Sequence, residues 1–200
     1  MTSAWLREEE PDAAVAKILA AADKAFVEVG VADARMSTIA DYAGCSRGTL
    51  YRYFKNRHEL HIAYIEQLAH EMMVRVRHGL RGIEDPRQRL VESIVRSVRE
   101  VRRNPGTAAW FEPGISGLAA RMGRSSEVVD RLTTTFVSEL FGTQGRDPES
   151  RMRARWLVRV IVSLLALPGD SQEEERAQVE RFVAPVLLSQ TRGRGGSEGF

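Results

Sequence analysis

The feature that most constrains this chain is the spacing of its apolar residues. Val15, Ile18, Leu19, Ala22, Phe26 and Val29 recur every three or four positions and share one face of a helix from about Asp12 to Val29. Period-two alternation, the mark of a half-buried strand, is nearly absent from the sequence. A chain patterned in this way buries its apolar surface helix against helix, so an all-α fold is expected. The helix boundaries are equally legible. Gly30 stops the first helix, a short apolar helix covers Ser37 to Ala43, Gly44 closes it, and another short helix runs from Arg47 to Phe54. Asn56, with Glu59 three residues later, opens a long helix that reads to about Leu80. Asp85-Pro86 and Asp147-Pro148 each place a capping carboxylate before a proline at the first helical position. Ser125 or Ser126 caps a helix through Phe141, and Ser171 to Glu174 is a capping box. Pro105, Pro113, Gly114 and Gly117 allow only short helices between Asn104 and Gly123. Pro185 should kink the last helix. About nine helices and no sheet are expected, followed by a disordered Gly-, Ser- and Arg-rich tail over 191–200.

Several function classes fall away on composition. With 43% apolar and 28% charged residues the chain is an ordinary globular one, and the single Cys45 excludes an internal disulfide framework. Met1 to Asp12 carries acids and a proline where a signal peptide needs a basic start and an apolar run. Trp156 to Leu167, the most apolar stretch, falls short of the about 20 residues that span a bilayer. A cytoplasmic protein without a membrane partner is expected. His58, His61, His70 and His78 form no dependable metal spacing, and no nucleophile motif, phosphate loop or paired carboxylates occur. Neither an enzyme nor a cofactor or metal is therefore expected.

The segment from Met36 to Phe54 carries chemistry. Two short helices joined by a tight turn suit duplex DNA, because the second can lie in the major groove while the first braces it. Ala40 is small where the two would cross, and Ile39, Ala43, Leu50 and Phe54 supply a shared apolar core. Gly44 can take the left-handed conformation at the turn, and Ser46 can cap the second helix. Arg47, Thr49, Arg52, Lys55 and Arg57 occur with no acid between Gly44 and His58, and Tyr51 and Tyr53 add hydroxyl-tipped rings. Cationic and hydroxyl donors on one helix are what phosphate anchoring and base-edge reading require. Gly48 would let the helix start sit close to the bases. A solvated basic helix is the plainer reading of the same pattern.

The run Ile39-Ala40 … Ala43-Gly44-Cys45-Ser46-Arg47-Gly48-Thr49-Leu50-Tyr51-Arg52-Tyr53-Phe54 resembles the DNA-binding signature of the TetR family of bacterial repressors, and the likeness extends from about Ala14 to Leu60. That resemblance implies a DNA-binding domain over 12–58 and a helical ligand-binding and dimerisation domain over 59–190. It implies that Arg47, Gly48 and Thr49 read bases, and that Tyr51, Tyr53, Arg57 and, more weakly, Lys55 hold phosphates. Tyr51 has packing against the first helix as a rival role. Family members commonly carry threonines before the bracing helix, where this chain has Ala34-Arg35-Met36; Ser37 is the substitute candidate. The function implied is a repressor on palindromic DNA, released by a small hydrophobic or amphipathic effector. A TetR-like activator or a ligand-independent regulator is the alternative.

The rest of the chain speaks through its apolar residues. Met73, Ile94, Val98, Trp110, Phe111 and Phe136 are candidates to line an effector pocket, with ordinary core packing as the competing role of each. Nine arginines between Arg75 and Arg103 either attract an anionic ligand or form a solvated face. Trp156, Val160 and Leu164, and then Val179, Phe182 and Val186, give two C-terminal helices more apolar surface than one buried stripe needs. The resemblance implies that these helices pair two copies into a homodimer through a four-helix bundle.

Overall fold

A computed structural model describes residues 11–112, 114–143 and 147–189; the tail expected over 191–200 lies outside the described residues. Among the described residues there is no strand. The helices are α1 (Pro11–Asp33), α2 (Met36–Ala43), α3 (Arg47–Tyr53), α4 (Arg57–Gly79), α5 (Pro86–Arg103), α6 (Pro105–Ala108), α7 (Ser116–Ser125), α8 (Glu127–Phe141), α9 (Pro148–Ala166), α10 (Gln172–Gln178) and α11 (Ala184–Ser189). A 3-10 turn, Ala109–Phe111, follows α6, and a π-turn, Val179–Val183, joins α10 to α11. Local chemistry sets most of the starts. Ser46, Asn104, Asp147 and Ser171 each accept a hydrogen bond from the amide three residues on, satisfying a donor that the first turn leaves without a helical partner.

Gly30 breaks the helix where expected: it takes φ 78° and ψ 156°, a conformation essentially reserved for glycine, and a further turn runs on to Asp33. Pro185 gives a π-turn in place of a simple kink. The Ala184 N–H bonds the Val179 carbonyl, and Pro185 has no N–H to offer Glu180. Arg87 Nη2 donates to that Glu180 carbonyl at 2.8 Å instead.

The chain divides into two compact units. The first comprises residues 11–68 and Arg103–Ser126. Its core joins Ile18, Ala22 and Phe26 of α1 to Ile39 and Ala40 of α2, Leu50 of α3, Leu60 and Tyr64 of α4, and Trp110. Phe26 meets Tyr64 at 4.9 Å and Trp110 at 5.3 Å edge to face, and His61 meets Trp110 at 4.9 Å. Burying side chains of this size contributes about 1.5–3 kcal/mol each, which is why the 109–111 turn belongs to this unit. Tyr64 Oη donates to Asp23 at 2.5 Å, and the Asp23 carboxylate lies where a Cβ on Gly106 would be, 1.9 Å from Oδ1. Only glycine lets α6 approach α1 so closely.

The second unit comprises Ala69–Arg102 and residues 127–189. Leu90, Val91 and Ile94 of α5, Phe136, Val137 and Leu140 of α8, Ala154 and Leu157 of α9, and Val179, Ala184 and Leu187 form its core. Its arginines are largely paired. Arg102 binds both carboxylate oxygens of Glu175, at 2.6 and 2.8 Å, and the Leu164 carbonyl at 2.9 Å. Arg77 holds Glu139 through two nitrogens, Arg75 meets Glu100 at 2.9 Å, and Glu92 sits between Arg96 and Arg176. The arginine run thus includes internal ties as well as exposed charge, a third role beside the two expected.

Candidate nucleic-acid interface

The helix-turn-helix is built from three local devices. Gly44 turns left-handed at φ 66° after α2, and its N–H and that of Cys45 bond back to the last carbonyls of the helix. The Ser46 Oγ then accepts the Thr49 amide at 3.0 Å and lies 2.9 Å from the Thr49 hydroxyl. After α3, Asn56 Oδ1 accepts the Glu59 amide at 2.9 Å, while Glu59 reaches back to the Lys55 amide at 3.0 Å. The reciprocal cap read at Asn56 forms, with its return bond one residue earlier than in the simple pattern.

These devices leave a cationic surface on α3. Arg47, Gly48, Tyr51, Arg52 and Lys55 are exposed. Among the described residues no ion pair involves Arg47, Arg52 or Lys55. Arg52 lies over the Tyr53 ring at 5.3 Å. Tyr51 is 46% exposed and stands apart from the core, so the packing role open to it falls to Tyr53, which is half-buried against that core.

Other candidates sit differently. Thr49 is only 9% exposed and its hydroxyl faces Ser46, so it braces the helix start rather than presenting a free donor. Ser37 is half-buried inside the first turn of α2; the capping position is Arg35, which makes no side-chain cap. Arg57 is part-buried: its Nη2 donates to the Val31 carbonyl and, at 2.8 Å, to that of Ala32, while Nε is buried without a partner. Burial lowers its guanidinium below the usual arginine range, with Asp33 opposing that shift.

The pocket candidates are not one group. Trp110 and Phe111 belong to the first unit's core, whereas Met73, Ile94 and Phe136 belong to the second's, with Val98 buried on α5. The interface candidates split as well. Trp156 and Val186 are exposed, Phe182 is 71% exposed, and Val160 and Leu164 are half-buried. Val179 is 1% exposed and packs in the second unit's core, because the π-turn adds a residue to the turn and rotates it away from Phe182. Met152 is a further exposed apolar residue on α9 that the sequence reading left out. Its position one turn before Trp156 was the available signal. Among the described residues no three His, Cys, Asp or Glu side chains cluster as metal ligands would, and no helix is long and apolar enough to cross a membrane.

Residues 18–64 match the bacterial regulatory proteins of the tetR family. An HTH-type transcriptional regulator of Mycobacterium tuberculosis is 38% identical over 189 residues, 92% of this chain and 90% of the relative. The HTH-type transcriptional activator FasR of Mycolicibacterium smegmatis is 39% identical over 74 residues, 37% of this chain and 34% of that protein. The crystal structure of the TetR family repressor AlkX from Dietzia superimposes with a TM-score of 0.64 at 23% identity, covering 88% of this chain and 95% of AlkX. The chain belongs to the tetR family of bacterial transcriptional regulators, and α2 and α3 are its DNA-binding helix-turn-helix.

Proposed function

We propose that this regulator is a cytoplasmic homodimer that represses transcription by occupying a near-palindromic duplex, and that a small hydrophobic or amphipathic effector releases it. The observation that carries this reading is the exposed face of α3 and the turn after it, where among the described residues no ion pair involves Arg47, Arg52 or Lys55. Arg47 and Gly48 lie at the base-reading end of the helix, while Tyr51, Lys55 and the first turn of α2 with Ser37 hold phosphates. Two copies related by a two-fold axis carry two such helices, and matching half-sites follow. Trp156, Phe182 and Val186, with Met152, are the exposed apolar surface that a second copy would cover.

The effector site is proposed within the second unit alone. Met73, Ile94, Val98 and Phe136 are buried in that unit, as is Thr134, whose Oγ1 has no partner, while the buried hydroxyls of Ser93, Ser97 and Ser138 donate to carbonyls of their own helices. A mostly apolar lining with a few polar groups suits a small amphipathic molecule. Such a molecule acts only if it favours the state that does not read DNA. Repression requires no contact beyond occupancy of the site; activation is the second reading, favoured by the similarity to FasR.

Selection of bound sequences from random duplex DNA by the full chain, with light scattering on the same preparation, tests the proposal. A near-palindrome bound by a dimer is the expected result. Trp156→Glu with Phe182→Glu should give monomers that bind the selected duplex about 10²–10⁴-fold more weakly, since the second reading head is lost. A monomeric wild-type chain, or a site without two-fold symmetry, overturns it.

A further inference from the structure

The carbonyls in the last turn of a helix have no partner in their own ladder and must find one elsewhere. In α1 that need is sharpened by the break at Gly30, after which the last turn is carried to Asp33 with no basic residue of its own. The Ala34 amide satisfies Gly30 at 3.1 Å. The carbonyls of Val31 and Ala32 are met from 26 and 25 residues away, by Nη2 of Arg57 at the start of α4. Between these partners the chain makes α2, the turn and α3, and nothing else. The helix-turn-helix is therefore a loop of chain clasped at its neck by one guanidinium.

We propose that Arg57 is a positioning residue that fixes the angle of the reading helix against α1, and not one of the groups that hold DNA phosphates. Three observations support this. Nη2 is committed to two backbone carbonyls. Nε is buried without a partner, where no phosphate of a bound duplex reaches it. Val31, whose carbonyl is clasped, is fully buried, so the end of α1 is a fixed anchor. Base reading depends on the placement of α3 within a groove, whereas non-specific attraction to phosphates tolerates small rotations. Loss of the clasp therefore lowers specificity before it lowers affinity for random DNA.

The experiment compares the wild-type chain with Arg57→Lys and Arg57→Met. Each is titrated with the duplex obtained by selection and with a random duplex of equal length, over a range of salt, at a temperature where circular dichroism shows it folded. In both variants affinity for the selected duplex should fall about tenfold, as for a lost hydrogen bond to a charged group. Affinity for the random duplex and the slope of log K against log [salt] should stay unchanged. Lysine should not rescue, because its nitrogen sits one bond short of the position from which Nη2 meets both carbonyls. If instead Arg57→Met lowers the salt slope by about 0.9 and Arg57→Lys restores it, Arg57 holds a phosphate and the proposal fails. It fails equally if both variants retain the wild-type ratio of selected to random binding. Merely reduced folding would lower both affinities together, which also counts against it. The proposal rests on sequence-specific binding by this helix-turn-helix, so one arm needs no DNA. In the free wild-type protein the Arg57 guanidinium protons should exchange slowly by NMR, and fast exchange would remove the clasp whatever the DNA result.

Discussion

The two units treat their arginines in opposite ways. Around α3, Arg47 and Arg52 face solvent and among the described residues pair with no carboxylate, while in the second unit Arg77, Arg96 and Arg102 are each tied to a glutamate. The chain's formal net charge of +2 conceals this division. Charge that attracts a polyanion is concentrated where nothing neutralises it, and the more numerous arginines of α4 and α5 serve largely to hold helices together. A basic run in sequence therefore marks a binding surface only when the fold withholds its acids.

The contrast is open to measurement. The largest effect is expected for Arg102→Met, which leaves the Glu175 carboxylate, 7% exposed, without a cation and with the Gly169 amide as its remaining donor. Thermal or denaturant unfolding should show a loss of about 3–4 kcal/mol, toward the lower end for a broken buried pair because Arg102 is itself 31% exposed. The salt dependence of DNA binding should not change.

Next is the acid response of the first unit. His61 is buried among Phe26 and Trp110 with Nε2 unpartnered, and burial, then Arg57 and His58, lower its pKa from 6.5 to about 4. The unfolded chain binds this proton more readily than the folded one between those values. Stability from this group is therefore complete above about pH 6.5 and is lost as pH falls to about 4, where the loss levels off at about 3 kcal/mol. In His61→Phe, which keeps a ring and gives up no hydrogen bond at Nε2, that part of the slope should vanish. A variant with the wild-type pH profile would place the titration elsewhere.

The smallest effect falls on the comparison itself. Arg47→Ala should cost about 1–3 kcal/mol on the selected duplex and flatten preference at one base position. Arg77→Ala, which removes a partner of Glu139 in the second unit, should leave both quantities alone. Equal DNA-binding losses in the two would erase the distinction between free and tied cations.

What was legible in the sequence was local. Gly44, Ser46, the Asn56 to Glu59 cap and the Pro-marked helix starts each act within five residues, so the reader and its boundaries could be assembled from neighbours. What the sequence did not show depends on distant partners. Arg57 has the position of a phosphate-holding residue by resemblance, and nothing nearby in sequence announces that its partners lie at the end of α1. Trp110 sits in a breaker-rich stretch that suggested a pocket, yet it completes a ring cluster with residues of α1 and α4. Val179 follows the spacing of Phe182 and Val186 on an ideal helix, and only the π-turn moves it inward.

That π-turn has a consequence for how the last helix comes apart. An unbroken helix passes each opening along its ladder, because every amide depends on the turn before it. Here the ladder is interrupted at Glu180, whose carbonyl is held sideways by Arg87 and not by the next turn. Ala184–Ser189 is therefore held less by the ladder of Gln172–Gln178 than by the burial of its own Ala184 and Leu187. The exposed Val186 lies beyond the gap and Phe182 within the π-turn, so a partner seated across both would bridge the ladder where the chain itself does not.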